Sequence, residues 1–210
     1  MLMDLTERLQ NVAVLGAAGK MGSGIALLLA QEMARTRLTP EGKGKVFRLV
    51  LVDVHEAALD GLLTYLRGQL LKRAEKGAGM LRELYADRSD LVENGEMIDE
   101  FVASAMSVLR PATDISAISG ARLVFEAVFE DEKLKVDLLG KARAVADPDA
   151  WYLTNTSSIP IGGLDTKLKL GGKVVGYHFY NPPAVQKLLE LITTEKTLPA
   201  LKQAGEALAK

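Results

Sequence analysis

Val12-Ala13-Val14-Leu15-Gly16-Ala17-Ala18-Gly19-Lys20-Met21-Gly22-Ser23-Gly24-Ile25-Ala26-Leu27-Leu28-Leu29-Ala30 passes from an apolar strand pattern, through a glycine turn, into an apolar helix pattern. That order suits a dinucleotide pyrophosphate. Glycines let the backbone turn tightly and approach the phosphates. The unpaired N–H groups at the helix start, with the positive end of its dipole, face the negative charge. Gly16, Ala17, Ala18, Gly19, Lys20, Met21 and Gly22 form the candidate phosphate cradle. An ordinary Gly-rich turn between strand and helix would read the same way, so the second strand matters.

Arg48-Leu49-Val50-Leu51-Val52 is apolar enough for a buried parallel strand and ends in Asp53. A carboxylate there can accept both hydroxyls of a ribose, and its charge repels a 2′-phosphate, which favours NAD over NADP. Two features depart from the common fingerprint. The glycines read G-x-x-G-x-x-G rather than G-x-G-x-x-G, leaving Ala18 and Gly19 as alternatives for the closest phosphate approach. Asp53 also lies beyond the usual interval of about 20 residues. An insertion near Thr36 to Lys45, where Thr39-Pro40-Glu41-Gly42-Lys43-Gly44 reads as a loop, accounts for the excess.

With 210 residues and 48% hydrophobic content, the chain can bury one full core and a small appendage. A formal net charge of −1 gives no global electrostatic attraction to nucleic acid. Cysteine is absent, which excludes disulfides, zinc–thiolate sites and thiol nucleophiles. Met1-Leu2-Met3-Asp4-Leu5-Thr6-Glu7 does not read as a secretory or transit peptide, and no apolar stretch reaches membrane-spanning length. A cytoplasmic protein is expected, without a metal site.

Beyond Asp53, Leu59, Leu62, Leu63, Leu66 and Leu70 recur at helical spacing, with Arg67, Lys72, Arg73 and Lys76 interleaved or following. Gly77 and Gly79 break the pattern. A more polar helical region spans about Met80 to Ala105, interrupted near Asn94-Gly95, before a strand at Ser107-Val108-Leu109. Further strands are expected at Arg122 to Val128, Trp151-Tyr152-Leu153 and Lys173 to Tyr177, the last ending at His178. An amphipathic helix runs between the first two of these and stops by Pro148. Alternating strands and helices predict an α/β, doubly wound, mainly parallel sheet with a helical excursion after its second strand. Ligands then bind at the strands' carboxyl ends. The segment from Thr197 to Lys210 reads as a helix, and the domain division is expected as 1–195 for the dinucleotide-binding unit and 196–210 for the start of a linking helix.

The polar motifs fall at those carboxyl ends. His178 suits a general base near neutral pH, and a nearby carboxylate would orient it and stabilise its protonated form. Ser157 offers a hydroxyl to a reacting oxygen. A structural histidine and a serine that caps a turn are the plainer readings of the same residues. His55 reads as a surface residue.

Gly16-x-x-Gly19-Lys20-Met21-Gly22-Ser23-Gly24-Ile25-Ala26, Phe125-Glu126-Ala127-Val128-Phe129-Glu130-Asp131, Asn155-Thr156-Ser157-Ser158 and His178-Phe179-Tyr180-Asn181-Pro182 follow in this order. Together they resemble the NAD-binding domain of the L-3-hydroxyacyl-CoA dehydrogenase family, from about Val12 to Ile192. The resemblance implies a Rossmann-type fold, NAD as cofactor and oxidation of a 3-hydroxyacyl-CoA to the 3-ketoacyl-CoA. It implies His178 as catalytic base, Glu190 as its carboxylate partner, and Ser157 near both the substrate oxygen and the nicotinamide. Glu130, Lys135 and Asn181 fall at positions of additional cofactor contacts. The helical excursion is similar to the family's coenzyme A-binding arm, with Gln69 and Lys76 at its contact positions, although a solvated basic helix face would look the same. Family members continue into an all-helical domain that supplies a catalytic asparagine and most of a homodimer contact. A dehydrogenase acting on a free hydroxy acid, and a dinucleotide-binding module inactive by itself, are the alternatives.

Overall fold

The computed structural model describes residues 5–209, so the N-terminal reading at Met1 to Asp4, and Lys210, lie outside the described residues. Seven strands form one sheet: β1 (Asn11–Leu15), β2 (Arg48–Val52), β3 (Leu109–Ala112), β4 (Leu123–Glu126), β5 (Trp151–Thr154), β6 (Val174–Phe179) and β7 (Leu189–Ile192). Their order is β3-β2-β1-β4-β5-β6-β7, and all neighbours are parallel except β6 and β7. The chain thus winds outward in both directions from β1 and β4. A crevice opens at their carboxyl ends, where the winding reverses.

Side chains alternate across the sheet, as the two-residue period of a strand requires. Val12 and Val14 of β1 enter one core with Leu49 and Leu51 of β2, while Ala13 and Leu15 enter the other with Val50 and Val52. The first core is closed by α2 (Lys20–Thr36), α3 (Glu56–Lys76), α5 (Asn94–Ser107) and α8 (Pro199–Leu208), through residues such as Ile25, Leu66, Phe101 and Leu201. The second is closed by α6 (Glu132–Val145) and α7 (Ile161–Leu168), through Leu139 and Leu164. Both faces of the sheet are covered, which is why β1, β2 and β4 read as nearly unbroken apolar runs.

The helical excursion consists of α3, α4 (Ala78–Leu84) and α5. Gly77 is the joint between α3 and α4, whereas Gly79 lies inside α4. The expected interruption near Asn94-Gly95 is the non-helical stretch over 85–93, and Asn94 itself opens α5. A capping box there satisfies the first free N–H groups through the Glu93 and Glu96 side chains. Helix α5 then runs on to Ser107, so β3 begins at Leu109 rather than Ser107. Pro111 hid the true strand. It is tolerated because β3 is the outermost strand and the missing N–H breaks no ladder.

Two further elements carry little sequence signal. The short α1 (Leu5–Leu9) is held by tertiary contacts: the Arg8 guanidinium lies 3.4 Å from the Trp151 ring centroid and donates to the Asp149 carbonyl at 2.9 Å. Strand β7 pairs antiparallel with β6 and extends it to Phe179. His178 therefore lies within β6 instead of at its end. The expected loop at Thr36 to Lys45 is present as turns, and Lys43 pairs with Asp87 across to the arm at 2.9 Å.

Candidate active site

Four of the seven amides in the glycine turn are spent on holding its shape. Gly16 and Ala17 donate to the Val52 carbonyl, Ala18 donates to Asp53 Oδ2 at 3.0 Å, and Gly19 donates to the Gly16 carbonyl. The N–H groups of Lys20, Met21 and Gly22 open α2 and meet no acceptor among the described residues, for Gly19 has no side chain to cap them. These three are the donors offered to an anion. Gly16 sits at φ +73°, and a Cβ on Gly22 would come 2.0 Å from the Gly16 carbonyl oxygen. The first glycine makes the turn, and the third lets helix and turn touch. The loop so formed is the cradle that a pyrophosphate requires.

Asp53 stands beside this cradle at the end of β2. One of its oxygens is engaged by the Ala18 N–H, which fixes the carboxylate next to the turn, and the other remains for a ribose hydroxyl. Turn and ribose acceptor are thus one rigid piece, a fit for NAD made by this chain's own residues.

Met21, Ala127, Val128, Glu130, Asn155, Ser157, His178, Phe179, Tyr180 and Asn181 line a cleft of about 380 Å³ at the carboxyl ends of β4, β5 and β6. The structure therefore brings together the segments of all four motifs. Antiparallel pairing explains the spacing of His178 and Glu190: they are direct cross-strand partners, and Nδ1 of the imidazole lies 2.8 Å from Glu190 Oε2. Tyr180 donates to the other oxygen, Oε1, at 3.2 Å. The bonds from His178 and then Tyr180 hold the Glu190 carboxyl below its ordinary range. An ionised carboxylate only accepts, so in the neutral ring it is Nδ1 that carries the proton and Nε2 that holds the lone pair.

Glu130 organises the opposite wall. Its Oε1 accepts from Thr156 Oγ1 at 2.6 Å, from the Ser157 and Ser158 N–H groups at 2.9 and 3.0 Å, and from Ser158 Oγ at 3.0 Å. Ser157 Oγ is the most distant, at 3.3 Å. Burial disfavours the charged form, but the bonds from Thr156, Ser158 and Ser157, with Lys135 nearby, outweigh it and set the Glu130 pKa at about 2. Among five donors sharing one oxygen, the Ser157 hydroxyl is the one most readily released to a substrate.

One expected contact is corrected, and one residue of the basic face is found engaged. Lys135 does not open onto the cleft: its side chain is 1% exposed, and its ammonium is bound to Glu126 Oε1 at 2.7 Å and to the Val128 carbonyl, with Glu130 Oε2 at 3.3 Å. It supports Glu130 from below. Arg73 is likewise not free for an anionic ligand, since it donates to Gln31 Oε1 at 3.0 Å and to the Ala184 carbonyl. Gln69 and Lys76 share its stripe of α3 at helical spacing; Gln69 is half-buried, while Lys76, Arg67 and Lys72 are exposed. His55 is exposed at the start of α3, as expected of a surface residue. Glu126, Tyr180 and the Arg73 latch escaped the sequence reading. Only Glu126 carried a signal, a charged residue inside an otherwise apolar strand.

Comparison with known proteins agrees with this arrangement. Residues 11–210 match the family model described as "3-hydroxyacyl-CoA dehydrogenase, NAD binding domain". A 3-hydroxybutyryl-CoA dehydrogenase of Mycobacterium tuberculosis is 34% identical over 208 residues, covering 98% of this chain and 61% of that protein. The 3-hydroxyadipyl-CoA dehydrogenase of Escherichia coli is 30% identical over 184 residues, covering 88% of this chain and 32% of that protein. Among solved structures, FadB2 of M. tuberculosis superposes with a TM-score of 0.66 at 32% identity, covering 96% of this chain and 60% of that one. The (S)-3-hydroxybutyryl-CoA dehydrogenase PaaH1 of Ralstonia eutropha gives 0.68 at 26%, with the same coverage. The chain spans about three fifths of the M. tuberculosis relative's length. No helix among the described residues is long and apolar enough to cross a membrane. With a family match over nearly its whole length, on a fold that sets a candidate phosphate cradle beside a candidate ribose acceptor, the chain belongs to the 3-hydroxyacyl-CoA dehydrogenase family as its NAD-binding domain.

Proposed function

We propose that this chain is the NAD-binding and proton-accepting part of an enzyme that oxidises L-3-hydroxyacyl-CoA to 3-ketoacyl-CoA, or runs the reverse reaction, in the cytoplasm. The observation that carries the reading is the His178–Glu190 pair at 2.8 Å, in the same cleft as Ser157 and beside the dinucleotide cradle. His178 Nε2 takes the proton of the 3-hydroxyl, and the ionised Glu190 stabilises the imidazolium that results. The Ser157 hydroxyl, released from its long bond to Glu130, donates to the substrate oxygen and holds it facing Nε2. Lys20, Met21 and Gly22 present their N–H groups to the pyrophosphate. Asp53 selects a 2′-hydroxyl, and Asn181, on the exposed rim of the cleft, contributes a further polar contact. Bound there, NAD would supply the hydride acceptor that the oxidation requires.

The exposed Lys76, Arg67 and Lys72, with half-buried Gln69 beside them, are the part of the arm suited to coenzyme A phosphates. A second groove, of about 640 Å³, lies between α2, residues 183–189 and the end of α8, with Leu28, Leu29, Pro183 and Leu208 in its lining. Val185 and Leu188 on its rim are 71% and 56% exposed. A helical second domain seated there would exclude water from the cleft and carry a homodimer contact. The test is NADH formation from L-3-hydroxybutyryl-CoA by the chain joined to such a domain. Turnover with the CoA thioester and none with free 3-hydroxybutyrate is expected. Equal turnover of the free acid would favour the hydroxy-acid alternative, and NAD binding without turnover of either would favour the binding module.

A further inference from the structure

Glu190 orients the imidazole from an unpromising place. It lies on β7, the edge of the sheet, and its side chain is 49% exposed. A carboxylate so open, held by one hydrogen bond, would spend much of its time turned toward water. Exposed ion pairs contribute little because fixing two side chains costs entropy that the solvent-screened attraction scarcely repays. Yet both oxygens of Glu190 are occupied, Oε2 by His178 and Oε1 by the Tyr180 hydroxyl at 3.2 Å. The Tyr180 ring also lies beside the imidazole, with centroids 5.1 Å apart.

Tyr180 is itself well anchored. On one side it follows β6 directly. On the other, Pro183 is buried against Gly24 of α2, where an added Cβ would come 2.9 Å from the proline ring, and the Ala184 carbonyl is held by Arg73 of the arm. The segment that carries Tyr180 is thus pinned at both ends. The ring itself is 38% exposed, and it is this backbone, with the imidazole beside the ring, that directs its hydroxyl to Glu190.

On the basis of the role proposed for His178 and Glu190, we propose that Tyr180 is a positioning residue that clamps the Glu190 carboxylate and so holds the imidazole with Nδ1 protonated and Nε2 open to the cleft. The titratable groups facing His178 are Glu190 from β7, Tyr180 from the segment after β6, and Glu130 from across the cleft with Lys135 beneath it. Tyr180 is the one whose hydroxyl can be deleted without removing a charge. Water replaces that hydroxyl as a donor but does not restrain the carboxylate. Glu190 then leaves the imidazole part of the time, and the protonated ring loses part of its stabilisation.

The experiment is an NMR titration of this chain, which holds only two histidines, so that exposed His55 serves as the internal reference. In Tyr180→Phe the His178 midpoint is expected to fall by about 0.3–0.5 pH units, and the Nδ1-protonated share of the neutral ring to shrink, while His55 does not move. Glu190→Gln should lower the midpoint further, and Tyr180→Phe added to it should have no additional effect. An unchanged or raised His178 midpoint in Tyr180→Phe would overturn the proposal. So would an equal additional fall in the Glu190→Gln background, which would mean that Tyr180 acts without Glu190. No substrate enters these titrations, so their failure is separate from a failure of turnover on 3-hydroxyacyl-CoA.

Discussion

Lys135→Met is expected to cost the fold about 3–5 kcal/mol, because it leaves the Glu126 carboxylate buried with no compensating charge. Glu126 is 0% exposed at the end of β4, and its Oε1 is shared by the Lys135 ammonium at 2.7 Å and the Val128 N–H at 2.8 Å, while Thr154 donates to Oε2. A buried ion pair adds little over an apolar pair of similar size, but removing one partner alone is expensive. The double variant Glu126→Gln/Lys135→Met should therefore be more stable than Lys135→Met alone. The amide oxygen keeps an acceptor for the Val128 N–H, and the amide NH2 can donate to the Thr154 hydroxyl in place of the bond that Thr154 donated, without a charge to solvate. Urea unfolding followed by circular dichroism measures both. A loss below about 1 kcal/mol for Lys135→Met would mean that the pair is not what holds this end of the sheet, and so not what supports Glu130.

His178→Gln, in the chain joined to a helical domain of the kind proposed, should lower kcat by a factor on the order of 10²–10⁴, the usual worth of a positioned general base, with NAD affinity nearly unchanged. The amide can still bond to Glu190, so geometry is preserved while the proton acceptor is lost. Steady-state NADH formation gives the rate, and a direct cofactor titration gives the affinity. Normal turnover would remove the base assignment. A parallel loss of cofactor binding would show instead that His178 helps to build the cleft.

The doubly wound sheet was legible because β1, β2, β4, β5 and β6 are buried on both faces and so appear as apolar runs, each followed by turn chemistry. Strand β2 falls at Arg48–Val52, as read from the residues. What escaped notice is held by distant partners. Helix α1 has only five residues and depends on Arg8 reaching Trp151. Strand β7 is an edge strand whose alternation, Leu189-Glu190-Leu191-Ile192, is too short to separate from loop. Missing β7 had a consequence for the site: without the antiparallel register, the pairing of His178 with Glu190 rested on resemblance alone. The motif residues were found because four polar motifs in a fixed order all fall at the carboxyl ends of strands. The supports behind them were harder to see. Resemblance places Lys135 at a cofactor contact, and nothing local says that the turn of α6 carries it beneath Glu130. Arg73 looked like one more member of a basic helix face, and only tertiary packing sets the Ala184 carbonyl against it.

The most direct measurement is a titration of this chain with NADH and NADPH, followed by the nicotinamide fluorescence. If the cradle at Gly16 to Gly22 and the carboxylate of Asp53 act as one site, NADH should bind at least about tenfold more tightly than NADPH, a difference of about 1.4 kcal/mol, and Asp53→Ala should narrow that gap. Equal affinities, or a preference for NADPH, would contradict it.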